Sequence, residues 1–155
     1  MTVCIDTREQ HPWRFPEGVK TVRATLMQGD YALEGDGSFS IERKNALDFR
    51  QTVAGKAAAW ERFTRELARM DAAGTPQKVI VVEGDMASYL FHETAAGIEE
   101  PEVECDPVLL MHRVAELAVR FRCCVLFARD AGTAAAMAWH LFCVRLEQVK
   151  GGQKR

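Results

Sequence analysis

From Lys78 to Val82 the chain carries an unbroken apolar run, Val79-Ile80-Val81-Val82, closed by Glu83-Gly84-Asp85. A strand that faced water on one side would alternate apolar and polar residues. One without alternation has to be covered on both faces. This segment is therefore expected at the centre of a sheet with helices packed on either side. The other segments agree with a mixed α/β sheet. Val3 to Asp6 reads as a short buried strand ending in a carboxylate. Lys20 to Leu26 alternates Val22, Ala24 and Leu26 on one face, the strand period. Ser38 to Lys44 follows the Gly35-Asp36-Gly37 turn, and Cys123 to Phe127 is a further buried strand.

Between the strands the helical period appears. Asn45 is expected to cap a helix, with Asp48 three residues on in the capping-box position. A first turn runs to about Val53 and Gly55 interrupts it. A longer helix follows, with Trp60, Phe63, Leu67 and Met70 on one stripe, and Gly74-Thr75-Pro76 ends it. Met86 to His92 reads as a short helix, and Thr94 to Cys105 as an acidic mobile loop. Asp106-Pro107 starts another helix, an N-cap acid followed by an N1 proline. Its core stripe is Leu110, Val114, Leu117 and Phe121. A last helix is expected over about Asp130 to Val149. The chain of 155 residues suits one domain over residues 1–149 with a basic tail at 150–155.

Composition excludes some classes. No run of about 18 apolar residues exists, so no spanning helix and no membrane role are expected. No signal-peptide pattern opens the chain, and the five cysteines are odd in number and mostly in apolar segments. They read as reduced thiols of a cytoplasmic protein, nucleoid-associated if the source is bacterial, with a phage source equally compatible. Four histidines show no zinc-ligand spacing with the cysteines. No Walker or dinucleotide glycine loop is present, so no nucleotide cofactor is expected. The net charge of −2 places any phosphate-binding surface in a local patch.

The chemistry-bearing residues cluster around Glu42-Arg43-Lys44. On a strand Glu42 and Lys44 share a face. A carboxylate there suits a hard cation such as Mg2+. A lysine beside it suits a hydroxide nucleophile or phosphate charge. Asp30, read as closing an earlier strand-like segment, is the expected second metal carboxylate. Asp6 at a strand end is a further metal or supporting acid. Arg43 points to the opposite face; it braces an acid, reaches phosphate, or offers its main-chain carbonyl to the metal. Asp48 is either a member of the site or a helix cap. Arg62, Arg65 and Arg69 lie opposite the core stripe. They track a DNA backbone, or pair along the helix as Glu61–Arg65 and Arg62–Glu66. Trp13 and Tyr31 either stack on an unpaired base or anchor a loop. The last helix carries two apolar stripes, Met137, Leu141 and Val144, and Trp139, Phe142, Leu146 and Val149. The second stripe is expected to form a homodimer interface.

Cys4-Ile5-Asp6-Thr7-Arg8-Glu9, then Gly29-Asp30-Tyr31, then Ile41-Glu42-Arg43-Lys44-Asn45-Ala46-Leu47-Asp48 resembles the XPF-type (XPF/Mus81-like) nuclease family. That family's pattern is G-D, a spacer and E-R-K-x-x-x-D, preceded by a strand ending in D-x-R-E. The likeness runs through the later strands and helices. It implies a three-layer restriction-endonuclease-like fold with a central mixed sheet flanked by helices. It also implies an endonuclease that uses Mg2+ or Mn2+, acts on branched or flapped DNA in repair or recombination, and works as a dimer. Carried over, Asp30, Glu42, Lys44, Arg43, Asp6 and Asp48 are the catalytic set, with Asp30, Glu42 and Asp6 as metal ligands. Arg8 and Glu9, with Arg62 and Arg65, are the expected DNA contacts. The alternatives are a non-catalytic DNA-binding subunit of a nuclease heterodimer, and a conventional restriction or repair exonuclease.

Overall fold

The computed structural model describes residues 1–75, 77–86 and 106–152. Six strands form one mixed sheet: β1 (Thr2–Asp6), β2 (Lys20–Ala24), β3 (Tyr31–Leu33), β4 (Phe39–Asn45), β5 (Gln77–Glu83) and β6 (Cys123–Ala128). Their order across the sheet is β2-β1-β3-β4-β5-β6. β1 runs parallel to β2 and antiparallel to β3, and β3 is antiparallel to β4. β4, β5 and β6 then run parallel. The apolar run Val79–Val82 thus sits between two parallel neighbours, and all four residues are buried.

Helices cover both faces, as the non-alternating strand requires. On one face lie α1 (Ala46–Phe49), α2 (Ala57–Ala72) and α3 (Pro107–Arg120). Their apolar stripes meet the even side of β5, with Phe49, Phe63, Leu67, Leu110 and Leu117 packed on Ile80 and Val82. On the other face lies α4 (Ala131–Gly152), which packs Ala134, Ala135, Ala138 and Phe142 on Ile41, Val79 and Val81. The expected helix starts hold. Asn45 Oδ1 accepts from the Asp48 N–H at 2.8 Å, and Asp106 accepts from Val108 and Leu109 N–H behind Pro107.

Between α1 and α2 the chain makes a wide π-type turn over Arg50–Ala54. Its freed carbonyls need donors. The Arg113 guanidinium, buried on α3, donates to Val53 O at 2.5 Å and Gly55 O at 3.2 Å and lies over the Trp60 ring. The break expected at Gly55 lies just after this turn, and the 60-residue separation between Arg113 and Val53 hides their partnership from local spacing.

Two expectations change. Phe142 is wholly buried in its own sheet's core, and Leu146 packs beside it. The stripe assigned to a partner therefore turns inward only at its middle, where Ala134 and Ala138 let the helix lie close to the sheet; Val149 is 37% exposed, and Met137 and Leu141 of the other stripe pack on the same core. Val144 is the large apolar residue left most exposed on this helix, at 64%. The helix also continues to Gly152, into the segment expected as a tail. Apart from Met86, the helix expected over 86–92 and the loop over 94–105 lie outside the described residues. No described helix is long and apolar enough to cross a membrane.

Candidate active site

Three strand ends meet at one edge of the sheet: the last residue of β1, the residue before β3, and the second half of β4. The meeting point is built by the main chain. Asp6 N–H donates to Asp30 O at 2.8 Å, and Asp30 N–H donates to Ile41 O at 2.9 Å. Asp30 therefore leads directly into β3 (Tyr31–Leu33), instead of closing a strand before it as its place in the sequence suggests. Gly29 turns the chain just before, at φ +69°. A Cβ there would stand 3.0 Å from both Ile41 O and the Ser40 Cβ, so only glycine fits. With the backbone diverted, the Asp30 side chain continues the ladder: its Oδ2 accepts from Arg43 N–H at 2.8 Å.

Asp30 is mostly enclosed, and its other oxygen accepts no hydrogen bond among the described residues. Burial, then the negative charge of Glu42, pushes its carboxyl up to about 7, against the Arg43 N–H and the more distant Lys44, which act the other way. Glu42 follows on β4, with Oε1 accepting from Lys44 Nζ at 3.1 Å. Both project to the α2 face, as their spacing predicts. The Lys44 ammonium lies 5.7 Å from the centre of the Phe63 ring. Both side chains are partly open to solvent, at 30% for Glu42 and 20% for Lys44. Asp30, Glu42 and Lys44 thus form one electrostatic cluster with an open carboxylate oxygen on each acid.

This donor set fits a divalent cation. Two acids in one cluster, one of them raised to about 7 by burial and by its neighbour's charge, are relieved by a cation. No group of three or more His, Cys, Asp or Glu side chains arranged around a common metal position occurs among the described residues. Magnesium tolerates that, since it takes one or two protein carboxylates and fills its shell with water and phosphate oxygen.

Asp6 has a different place. It is fully buried, and both oxygens are taken by the chain itself. Oδ1 accepts from Arg8 N–H (2.8 Å) and Nε (2.6 Å), and Oδ2 from Arg8 Nη2 (3.1 Å) and Leu26 N–H (2.7 Å). The Arg8 bond, with the two backbone amides, holds the carboxyl down at about 2. In this arrangement Asp6 ties β1 to the segment leading into Asp30, rather than presenting a metal ligand. Arg8 is 70% exposed, and the negative charge of Asp30 and Glu42 reaches it. It stands at the mouth of the cluster.

Arg43 works on the opposite face. Its Nε donates to Glu83 Oε1 at 2.8 Å and its Nη2 to Glu83 Oε2 at 3.2 Å, a two-pronged bond. Its Nη1 donates to Glu9 Oε1 at 3.2 Å and to His11 O. Trp13 Nε1 donates to the same Glu83 at 2.5 Å, and the Trp13 ring stacks on Tyr31 at 4.5 Å. Of the readings open for Arg43, the structure shows the brace, and Glu9 is part of it rather than free to contact DNA. Trp13 and Tyr31 anchor the 7–18 loop instead of offering a base platform. Glu83 is the residue sequence reasoning missed. The available signal was its position: parallel register sets Arg43 beside Val81, and Glu83 lies two residues on, on the same face.

Asp48 is exposed at the start of α1, where its carboxylate accepts from Asn45 Nδ2 at 2.8 Å. It acts as a cap and is not brought to Asp30 and Glu42 by any described contact. Arg62 and Arg65 are exposed on α2, and neither i,i+4 pair expected there forms among the described residues.

Similarity to known proteins points one way. The model of the ERCC4 domain matches residues 5–139. Two solved structures, "XPF from Aeropyrum pernix, complex with DNA" and "XPF from Aeropyrum pernix", superpose with a TM-score of 0.67 each. Identity is 20% and 22%, and 95% and 99% of this chain is covered. The chain spans 66% and 70% of those chains. No curated protein matches it in sequence.

Proposed function

Because the chain belongs to the ERCC4-domain family, a family of structure-specific DNA nucleases, we propose that it is itself a divalent-metal-dependent DNA endonuclease acting on branched or flapped DNA. The observation that carries this reading is the Asp30–Glu42 pair beside Lys44, with a carboxyl that burial and a neighbouring acid have pushed up to about 7. Charge held under such tension at a strand end fits metal and phosphate better than it fits fold stability.

Asp30 and Glu42 would hold Mg2+ or Mn2+. When bound there, the ion would supply a water of lowered pKa and a counter-charge for phosphate oxygens. The chain's own part is positional. Arg43 N–H fixes which oxygen of Asp30 remains free. Lys44, held by Glu42, places an ammonium where negative charge builds on the phosphoryl oxygens. Arg8 extends positive charge to the mouth of the cluster and would meet a neighbouring phosphate. The Asp6 clamp keeps the segment before Asp30 in register. Arg62 and Arg65, exposed on α2 with no ion pair among the described residues, are proposed as further backbone contacts.

The groove between α4 and the β5–β6 side of the sheet is proposed as the homodimer face. It is lined by Phe39, Val79, Met137, Leu141 and Val144, and has a volume of about 440 Å³.

Flap, fork, four-way-junction and linear duplex DNA, incubated with the chain and Mg2+ or Mn2+, test the activity. Cleavage of branched substrates that disappears in Glu42→Gln with the fold retained is the expected result. Full activity in that variant would refute the site assignment. Divalent-cation titration by calorimetry separates the enzyme from a non-catalytic subunit, which has no need of the ion.

A further inference from the structure

On the side of the sheet away from Glu42 and Lys44, a second cavity of about 800 Å³ opens between the 7–18 loop and strands β1 and β2. Its lining is unusual in this acidic chain: Arg14, Arg23 and His11 contribute, and no carboxylate does. Trp13 and Phe15 give it an apolar wall. Arg14 is exposed and makes no ion pair or side-chain hydrogen bond among the described residues, so its guanidinium can turn to a ligand. Arg23 is fixed. Its Nη1 donates to Asp6 O at 2.8 Å and to Glu9 O at 2.6 Å, and the side chain lines the cavity. The same bonds join the cavity to the braces beside the acid cluster, since Asp6 and Glu9 are the residues held by Arg8 and Arg43. His11 adds a second link, because its carbonyl takes the Arg43 guanidinium.

Two arginines and an imidazole around a half-apolar hollow match one ligand chemistry. Guanidinium forks recognise phosphate oxygens, and the Phe15 side suits a sugar or base face. The volume lies in the range of small-molecule sites and accommodates a nucleotide unit. We propose that this cavity binds a phosphate-bearing nucleotide of the nucleic-acid substrate, outside the bond that is cut, with Arg14 as its principal phosphate contact. This rests on the nuclease reading for the identity of the strand, but the phosphate chemistry stands on the cavity alone.

Fluorescence anisotropy of a labelled branched DNA, in EDTA so that no cleavage occurs, compares the full chain with Arg14→Ala, Arg14→Lys and Glu17→Gln. Arg14→Ala is expected to weaken binding about fivefold to tenfold and to lower the salt dependence by about one counterion. Arg14→Lys restores part of the affinity, and Glu17→Gln, outside the cavity, leaves binding unchanged. Equal affinity and equal salt slope in wild type and Arg14→Ala, with both proteins folded and cleaving, would overturn the cavity and leave the nuclease reading intact. If no variant binds or cleaves DNA, a second arm decides: calorimetry with dAMP and with inorganic phosphate. Loss of dAMP binding in Arg14→Ala then supports a phosphate site for a free nucleotide and overturns the strand-binding part. No dAMP or phosphate binding to the wild type overturns the site altogether.

Discussion

Replacing Asp30 by asparagine should make this protein more stable in the absence of metal, and the size of the gain can be worked from the site. An aspartate that titrates near 3.8 in the unfolded chain and near 7 in the fold binds its proton more tightly when folded. The sign follows from proton linkage. Between those two values the folded state holds more protons, so stability falls as pH rises and stays low above 7. Each pH unit between them is worth about 1.4 kcal/mol, which sets a ceiling of about 4 kcal/mol at pH 8. Glu42 and Lys44 can relax around the charge, so about 2 kcal/mol is the expected gain. Asparagine is uncharged, and its amide oxygen can still accept from Arg43 N–H. For a chain of this length, 2 kcal/mol corresponds to a Tm rise of about 4–8 °C. Thermal unfolding at pH 8 in EDTA measures it. At pH 5 the gap should shrink to less than half, because wild-type Asp30 is already protonated in the fold. Adding Mg2+ or Mn2+ should raise the Tm of the wild type and not that of Asp30→Asn. An asparagine variant no more stable than wild type at pH 8, or a gap of equal size at pH 5, would refute the argument that Asp30 is held charged at a cost.

Other variants probe the remaining parts. Lys44→Gln should cut cleavage by about 100-fold or more while metal binding, read by calorimetry, persists; unchanged turnover would remove Lys44 from the chemistry. Asp6→Ala should cost about 1–2 kcal/mol in urea unfolding at pH 7, a figure discounted because Arg8 is exposed. Its carboxyl sits below its unfolded value, so that contribution is full above about pH 4 and fades as pH falls through about 2; a deficit constant down to pH 2 would contradict the clamp. Val144→Asp should convert a dimer to a monomer in sedimentation at micromolar concentration, and a wild type that already sediments as a monomer would dismiss the proposed face.

The sheet and its two helical layers were legible because burial leaves a mark on composition. Val79 to Val82 has no polar side, and that alone demanded cover above and below. Glu42 and Lys44 were legible as one face for the same geometric reason. What the letters concealed was partnership across distance. Asp6, Glu9 and Asp48 are all acids near the motif, yet both oxygens of Asp6 are committed to Arg8 and Leu26, one oxygen of Glu9 to Arg43 and His11, and one of Asp48 to the Asn45 cap. Nothing local separates an acid with open oxygens from one already engaged. Arg113 and Glu83 were hidden likewise, each joined to groups about 60 and 40 residues away in sequence. On α4 periodicity marked two stripes, but how far each turns inward depended on where small alanines let the helix approach the strands.

Arg43 serves two chambers with two different parts of itself. Its peptide N–H steadies Asp30, and its guanidinium secures Glu83, Glu9 and the loop that carries Trp13. Every residue type except proline owns a peptide N–H. Sequence drift at this position would therefore loosen the loop while the carboxyl kept its orientation. The two halves of the molecule's working edge can decay separately, and the half facing Asp30 is insured by the backbone itself.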